Sequence, residues 1–331
     1  MTQVITLRSG LADTPHGFSY VRESVKLTVR ALVHQQHTRS WLQLLNSNPI
    51  LRELVASWPR LIHKIYRPYM SNTLRCQERL EVLKAHYQFI LKQGLGSIVA
   101  QAAHGPLQLA SLTGKTGARY AIQLRAISTL EREGELVLQL VSGASLIYSV
   151  AFSFFRANGR LAIGIGCLQG PQCNDGLERI REATRELHGL RPKNLMVRLV
   201  RQLGHDYECR DLILVGNQNR TIDYAARKGL VFADYDTFWK EIGAVRRTDG
   251  DFTLACEDLP APVMADIASK KRSEVRKRHE LLAHTLASMR ARLNLASSAN
   301  LPKAITPLHA APSAPAPIPI TSAACELAIA Y

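Results

Sequence analysis

The sequence predicts an α/β protein of the α+β kind: a helical N-terminal section, then a mainly antiparallel sheet flanked by helices, closed by a long basic helix. Three observations predict it. Apolar residues recur at spacings of three and four between about residues 20 and 100, the stripe of half-buried helices. Between 118 and 168 the period drops to two, the mark of strands. From 175 onward helical and strand-like stretches alternate, ending in a basic helix over 269–293.

Residues 1–16 show no periodicity and read as a loose lead before a helical section over 17–100. In ERLEVLKAHYQFILKQG, Leu80, Leu83, Tyr87 and Ile90 share one face, and Gly94 ends the run. An α/β domain over 101–293 follows. ARYAIQLRAIS, GELVLQLVS, SLIYSVAFSFF and RLAIGIGCLQG are four strands joined by EREG, Gly143-Ala144 and Asn158-Gly159. Links this short join only antiparallel neighbours, because a parallel crossover needs a dozen or more residues. Next come a helix over 175–189 and a cleaner one over 192–204, with Leu195, Met196, Leu199, Val200 and Leu203 on one side. Strands at 211–215 and 251–256 flank a short helix at 235–244. The tail, 294–331, is rich in Ala and Pro and is expected to be disordered.

A net charge of +15 predicts attraction to phosphates, anionic cofactors, nucleic acid or acidic membrane surfaces. The first residues lack a basic start and an apolar run, so no signal peptide is expected, and no apolar stretch approaches a membrane span. The six cysteines form no C-x-x-C pair, which predicts a reduced, cytoplasmic protein with unligated thiols and no metal site.

HGLRPKNLM (188–196) sets two cations at a helix start, where the helix dipole already places positive charge. One reading is an anion site built by Arg191, Lys193, Asn194 and the N–H groups that follow; the other is a solvated basic helix start. ADYDTFW offers Asp234 or Asp236 as a general base, if burial raises the pKa, and Tyr235 as a general acid. Against this, Asp236 suits a helix N-cap, and Tyr235, Phe238 and Trp239 suit a core. Asn217, just past a strand end, could orient a substrate or simply form a turn. Glu133 and Glu135 read as surface charges, and His86 and His188 have no partner at metal-ligand spacing. No nucleophile elbow, phosphate-binding Walker loop or H-E-x-x-H pattern appears, which counts against hydrolase and NTPase classes. The last helix carries Lys270, Lys271, Arg272, Arg276, Lys277 and Arg278, either a nucleic-acid or membrane-facing surface or a solvated cap packed by its Leu edge. With only 6% aromatic residues, stacking platforms for single strands are scarce.

RPYM (67–70), AHYQFI (85–90), IGCLQGPQ (165–172), LHGLRPKNL (187–195), FADYDTFWKEIGA (232–244), DGDFTL (249–254) and SKKRSEVRKRHELL (269–282) resemble, in order, the landmarks of the bacterial VirK/YbjX family. The resemblance runs from about 45 to 285 and leaves the Ala/Pro tail outside. It implies a cytoplasmic protein of Gram-negative bacteria tied to virulence and to survival of cationic antimicrobial peptides. The order of elements is also similar to the core of GNAT-type acyltransferases. In that fold a strand splays from its neighbour and the next helix start receives the CoA pyrophosphate. The corresponding strand is Leu161–Leu168, and the resemblance implies acyl-CoA as ligand and N- or O-acyl transfer as chemistry. The usual Gly-rich loop is missing and the helix 175–189 intervenes. A nucleic-acid-binding regulator of envelope or virulence gene expression is the alternative.

Overall fold

The computed structural model describes residues 4–171, 173, 175–221 and 233–300, with side chains to 293. Eight strands form one sheet in the order β1-β2-β3-β4-β5-β6-β8-β7. They are β1 (Leu107–Thr113), β2 (Arg119–Ala126), β3 (Leu136–Ser142), β4 (Ser145–Ala157), β5 (Arg160–Gln169), β6 (Asp211–Leu214), β7 (Val245–Arg246) and β8 (Phe252–Ala255). β2 to β5 are the expected antiparallel meander, and β1 extends it at one edge. Among the described residues only β5 and β6 run parallel, Ala162 opposite Asp211 to Ile165 opposite Leu214. A parallel return requires a crossover. Here it uses α6 (Gly176–Glu186) and α7 (Pro192–Asp206), taking α1 to α5 as the helices before β1.

Those five are α1 (Phe18–Val33), α2 (Gln35–Asn46), α3 (Pro49–Ser57), α4 (Cys76–Lys92) and α5 (Gly96–His104). α8 (Tyr235–Glu241) precedes β7, and α9 (Ser269–Asn300) closes the unit seven residues beyond the expected end. The rest of the expected disordered tail lies outside the described residues. Residues up to Asn300 form a single compact unit, and one apolar core runs from the helical section into the sheet. The lead is not loose. Leu7–Leu11 form a 3-10 turn, Ile5 and Leu11 are buried, and Asn46 brackets Ile5 with two 2.8 Å hydrogen bonds.

α7 buries Leu195, Met196, Leu199, Val200 and Leu203, the stripe its sequence predicts. Gly204 lets it press on the sheet, since a Cβ there would lie 2.6 Å from Cys256 Sγ and 2.8 Å from Ile163 Cγ2. β5 carries a bulge: Ala151 pairs with Cys167 but Phe152 with Ile165, leaving Gly166 as the extra residue. A side chain on Gly166 would meet the Glu133 carbonyl at 2.0 Å, so glycine is required where that turn crosses the strand.

β3 begins opposite Phe152, so the following part of β4 has no strand neighbour on that side. Buried polar side chains take the strand's place. His86 Nδ1 accepts the Phe154 N–H at 3.1 Å, and Ser153 Oγ accepts the Glu135 N–H at 2.9 Å and bonds the Tyr69 hydroxyl at 2.8 Å. The Glu135 carboxylate takes Lys64 Nζ at 2.6 Å and the Tyr87 hydroxyl. Burial pushes the Glu135 carboxyl up, but the Lys64 charge, His86 and the hydrogen bonds from Lys64 and Tyr87 bring it below its ordinary value. Glu133 and Glu135 are therefore not surface charges. Both are buried, because the turn before β3 folds over Gly166 and the cation that meets Glu135 comes from the distant 3-10 helix Pro59–Tyr66.

Removing one partner of this pair leaves a buried, uncompensated charge. Glu135→Leu is expected to cost about 3–5 kcal/mol in urea unfolding, with much of it restored by adding Lys64→Met. Burial lowers the His86 pKa from 6.5 to about 4. The unfolded chain binds that proton more readily, so the His86 contribution is complete above pH 6.5 and declines as pH falls toward about 4. His86→Asn, whose amide oxygen can accept the same N–H, is expected to flatten the melting temperature against pH across that window.

Candidate functional site

β5 continues past the last β6 contact, where Val215 N–H meets the Ile165 carbonyl at 3.1 Å, and the two strands open. In that opening Leu168 presents an N–H and a C=O with no strand opposite among the described residues. The Tyr235 hydroxyl serves both, accepting from the N–H and donating to the C=O, each at 2.7 Å. Burial drives the Tyr235 pKa well above its ordinary value, so the phenol keeps its proton. The Arg220 guanidinium lies 4.0 Å from the centre of its ring and donates to the Ala233 carbonyl at 3.1 Å. Cys167 Sγ is 3.6 Å from the same hydroxyl, and burial pushes its thiol up to about 11, which withholds it as a nucleophile.

At the start of α7, Arg191 and Lys193 converge rather than splay. Both reach Glu241 Oε2, at 3.5 and 3.8 Å, and Lys193 Nζ also sits 4.0 Å above the Phe238 ring. Asn194 Oδ1 is buried without a hydrogen-bond partner. Arg191 is the N-cap by geometry but gives no side-chain cap, and Pro192 follows at the first helical position.

Asn217, Asp234 and Tyr235 come together as a hydrogen-bonded knot. Asn217 Nδ2 donates to Asp234 Oδ1 at 2.8 Å, and Asn217 Oδ1 accepts the Tyr235 N–H at 2.9 Å. The N-cap of α8 is Asp234, accepting from the Thr237 N–H, whereas the sequence favoured Asp236. Asp236 instead accepts the Asn217 N–H at 2.8 Å. Asp234 is exposed, and hydrogen bonds from the Thr237 hydroxyl and Asn217 hold its pKa down to about 2. Burial does not raise it; the carboxylate is ionised at neutral pH.

Every one of these residues except Asn194 touches α8 or its cap. Tyr235 fills the strand opening, Phe238 lies under Lys193, and Glu241 sets one carboxylate against the two cations. The sequence showed the cations and the tyrosine, but nothing local marks Glu241 as their partner some fifty positions away. Beside the opening, Glu133 accepts from the Thr221 hydroxyl at 2.9 Å. A cavity of about 580 Å³ reaches Ile213 of β6 and Val215 just beyond it and carries Glu81, Lys84, Arg247 and Asp251; neither Arg191 nor Lys193 lines it.

Among the described residues, His34, His37 and Cys76 form one group with ligand atoms within 4.8 Å of one another, a donor set of the type zinc takes. His37 Nδ1 is buried without a partner. Cys76 is too distant in sequence from the histidines for any spacing rule to join them. On α9, Lys270, Lys271, Arg272, Arg276 and Lys277 are exposed and Arg278 is half-buried, donating to the His188 carbonyl at 2.9 Å. Arg272 donates to the Ile267 carbonyl at 2.8 Å. The helix is anchored by Leu282, Leu286, Met289 and Leu293, all buried.

The class is thus a mixed α/β protein with an eight-stranded, mostly antiparallel sheet opened at one parallel pair. Residues 16–291 match the family described as protein of unknown function (DUF535), and the chain belongs to that family. Its relatives include the uncharacterized protein YbjX of Escherichia coli (strain K12), 28% identical over 262 residues, 78% of this chain and 79% of that one. The VirK/YbjX resemblance read from the motifs therefore holds. An uncharacterized protein of Haemophilus influenzae is 31% identical over 140 residues, 41% of this chain and 45% of that one. The membrane protein LapB of Mannheimia haemolytica is 24% identical over 191 residues, 56% of this chain and 79% of that one. Among solved structures, a cAMP-binding acyltransferase from Mycobacterium smegmatis gives a TM-score of 0.28 at 11% identity, covering 65% of this chain and 63% of that one. At that distance the fold class rests on this chain's own strand order. Among the described residues no helix is long and apolar enough to cross a membrane.

Tyr235→Phe keeps the ring and strands two buried backbone groups at Leu168. The expected loss is about 1–3 kcal/mol in urea unfolding, with the thiol of Cys167 becoming more reactive toward a maleimide as the opening loosens.

Proposed function

We propose that this chain is an acyltransferase-like scaffold that takes an anionic, CoA-type thioester between β5 and β6. The observation that carries this reading is the sheet's one parallel pair parting beside a helix start whose two cations meet at a single oxygen. A guanidinium and an ammonium that already share one carboxylate oxygen are spaced to share a phosphate oxygen. In this reading α8 is a self-filling plug, and a ligand enters by displacing Glu241 from the cations and Tyr235 from Leu168. Arg191 and Lys193 bind the diphosphate, with Asn194 offering its unpaired carbonyl oxygen to a donor on the ligand. An acceptor amine or hydroxyl attacks the thioester carbonyl, the C–S bond breaks, and the thiolate leaves. Tyr235 gives the thiolate a proton and is reprotonated through water by the acceptor. Asn217 orients the acceptor and Asp234 holds Asn217. Positioning supplies most of the rate.

In the cell, the reading places this work at the bacterial envelope, in survival of cationic antimicrobial peptides and in virulence, as the VirK/YbjX kinship implies. The Mannheimia relative, a membrane protein by name, supports that setting. Among the described residues all five cysteines are free, which supports a reducing, cytoplasmic location. A second reading, nucleic-acid binding, is favoured by the five exposed cations on the first half of α9.

A thermal-shift panel of acetyl-CoA, long-chain acyl-CoA, free CoA and a short RNA separates the two. Ligand at a hundred times its Kd is expected to add about 2.7 kcal/mol of stability at moderate salt. Arg191→Ala with Lys193→Ala is expected to abolish that gain, and Glu241→Gln to tighten binding several-fold. Stabilisation by RNA alone, fading steeply with salt, would move the assignment to α9. No response to any of the panel would remove both.

A further inference from the structure

α1 is amphipathic the wrong way round for a helix that serves only a core. Phe18, Val21, Val25, Val29 and Leu32 follow one another at steps of three or four, with Val33 beside them. All six are between 53% and 82% exposed. The opposite face, Leu27 and Ala31, is buried against the body of the protein. A continuous outward apolar stripe of this length marks an interaction surface.

The surroundings say what covers it. Arg22, Lys26 and Arg30 repeat every fourth residue along one flank of the stripe. Arg30, Arg60 and Arg132 are close enough to press on the charge of Arg67, so the flank opens onto a wider basic patch. Arg60 and Arg132 are exposed. The nearby carboxylates are already engaged: Glu23 by Arg22 and Lys26 at 3.4 and 3.1 Å, Glu131 by Arg67 at 3.8 Å and by the Trp58 indole at 3.2 Å. The whole chain carries a net charge of +15. A second copy seated here would set these cations against their own kind, whereas a layer of anionic headgroups complements them.

We propose that α1 docks this protein onto an anionic phospholipid surface, lying in the interface plane with its apolar stripe among the upper acyl chains and its arginines and lysine at the phosphates. The helix does not span. Its 16 residues are fewer than the roughly 20 a crossing needs, and they include Arg22, Glu23, Lys26 and Arg30. No residue of α1 belongs to the β5–β6 opening, so the proposal stands whether or not that opening binds a thioester.

The test is flotation of the full chain with phosphatidylcholine vesicles, with and without phosphatidylglycerol, at low and high salt. The wild-type chain is expected to float with the anionic vesicles and to stay behind with the neutral ones. Val25→Glu with Val29→Glu, at exposed positions that leave the core untouched, is expected to weaken binding by on the order of tenfold or more. Arg22→Ser with Lys26→Ser and Arg30→Ser is expected to weaken it by on the order of a hundredfold at low salt. A control carrying Lys270→Ser, Lys271→Ser and Lys277→Ser is expected to float as the wild type does, and unchanged melting temperatures show that each variant is folded. Flotation lost in the α9 control but kept in the α1 variants would overturn the proposal. So would absence of flotation together with a dimer, seen by light scattering, that Val25→Glu and Val29→Glu disrupt.

Discussion

Two backbone groups of Leu168 set the terms for the rest of the molecule. Once β6 turns away, β5 is left with an N–H and a C=O facing a buried gap, and unpaired groups there are costly. The Tyr235 hydroxyl satisfies both at 2.7 Å. That requirement fixes where α8 begins, and six residues later Glu241 arrives at Arg191 and Lys193. The awkward charge at the start of α7 thereby meets a counter-charge. The cations crowd a positive helix pole because a carboxylate from another helix stands in front of them.

The same logic of a strand losing its neighbour governs the other polar cluster. β4 outruns β3, and His86, Ser153, Tyr69, Glu135, Tyr87 and Lys64 close the exposed edge in hydrogen bonds and an ion pair. Segments that carry the family resemblance meet at these two places: RPYM and AHYQFI at the start of β3, IGCLQGPQ and the segment around Tyr235 at the opening. In both, the landmark residues satisfy backbone that the sheet leaves unpaired.

Periodicity made most of the fold legible. The meander followed from links too short for anything but hairpins, and the buried face of α7 followed from its apolar spacing. What escaped was whatever depends on distant pairing. Glu135 looks like a surface charge because its sequence neighbours are polar, and only Lys64 from another element allows it to be buried. β7 has two residues, too few for any period. The loose lead became ordered because Asn46, remote in sequence, brackets Ile5. Of the candidate site, Arg191, Lys193, Asn217, Asp234 and Tyr235 were visible as residue types in telling places, whereas Glu241 was not. Asp234 rather than Asp236 caps α8, a distinction of two positions that only backbone geometry decides.

On the proposed reading, α8 has to move for a thioester to enter. The most direct measurement is amide hydrogen exchange across α8 and the first turn of α7, with and without saturating acetyl-CoA. If α8 is a plug that the thioester displaces, amides of 237–244 exchange faster on ligand addition while those of 193–196 are protected. Unchanged or slower exchange in α8 with ligand bound would contradict the account, leaving α8 as a fixed part of the sheet's edge and the β5–β6 opening as permanently closed.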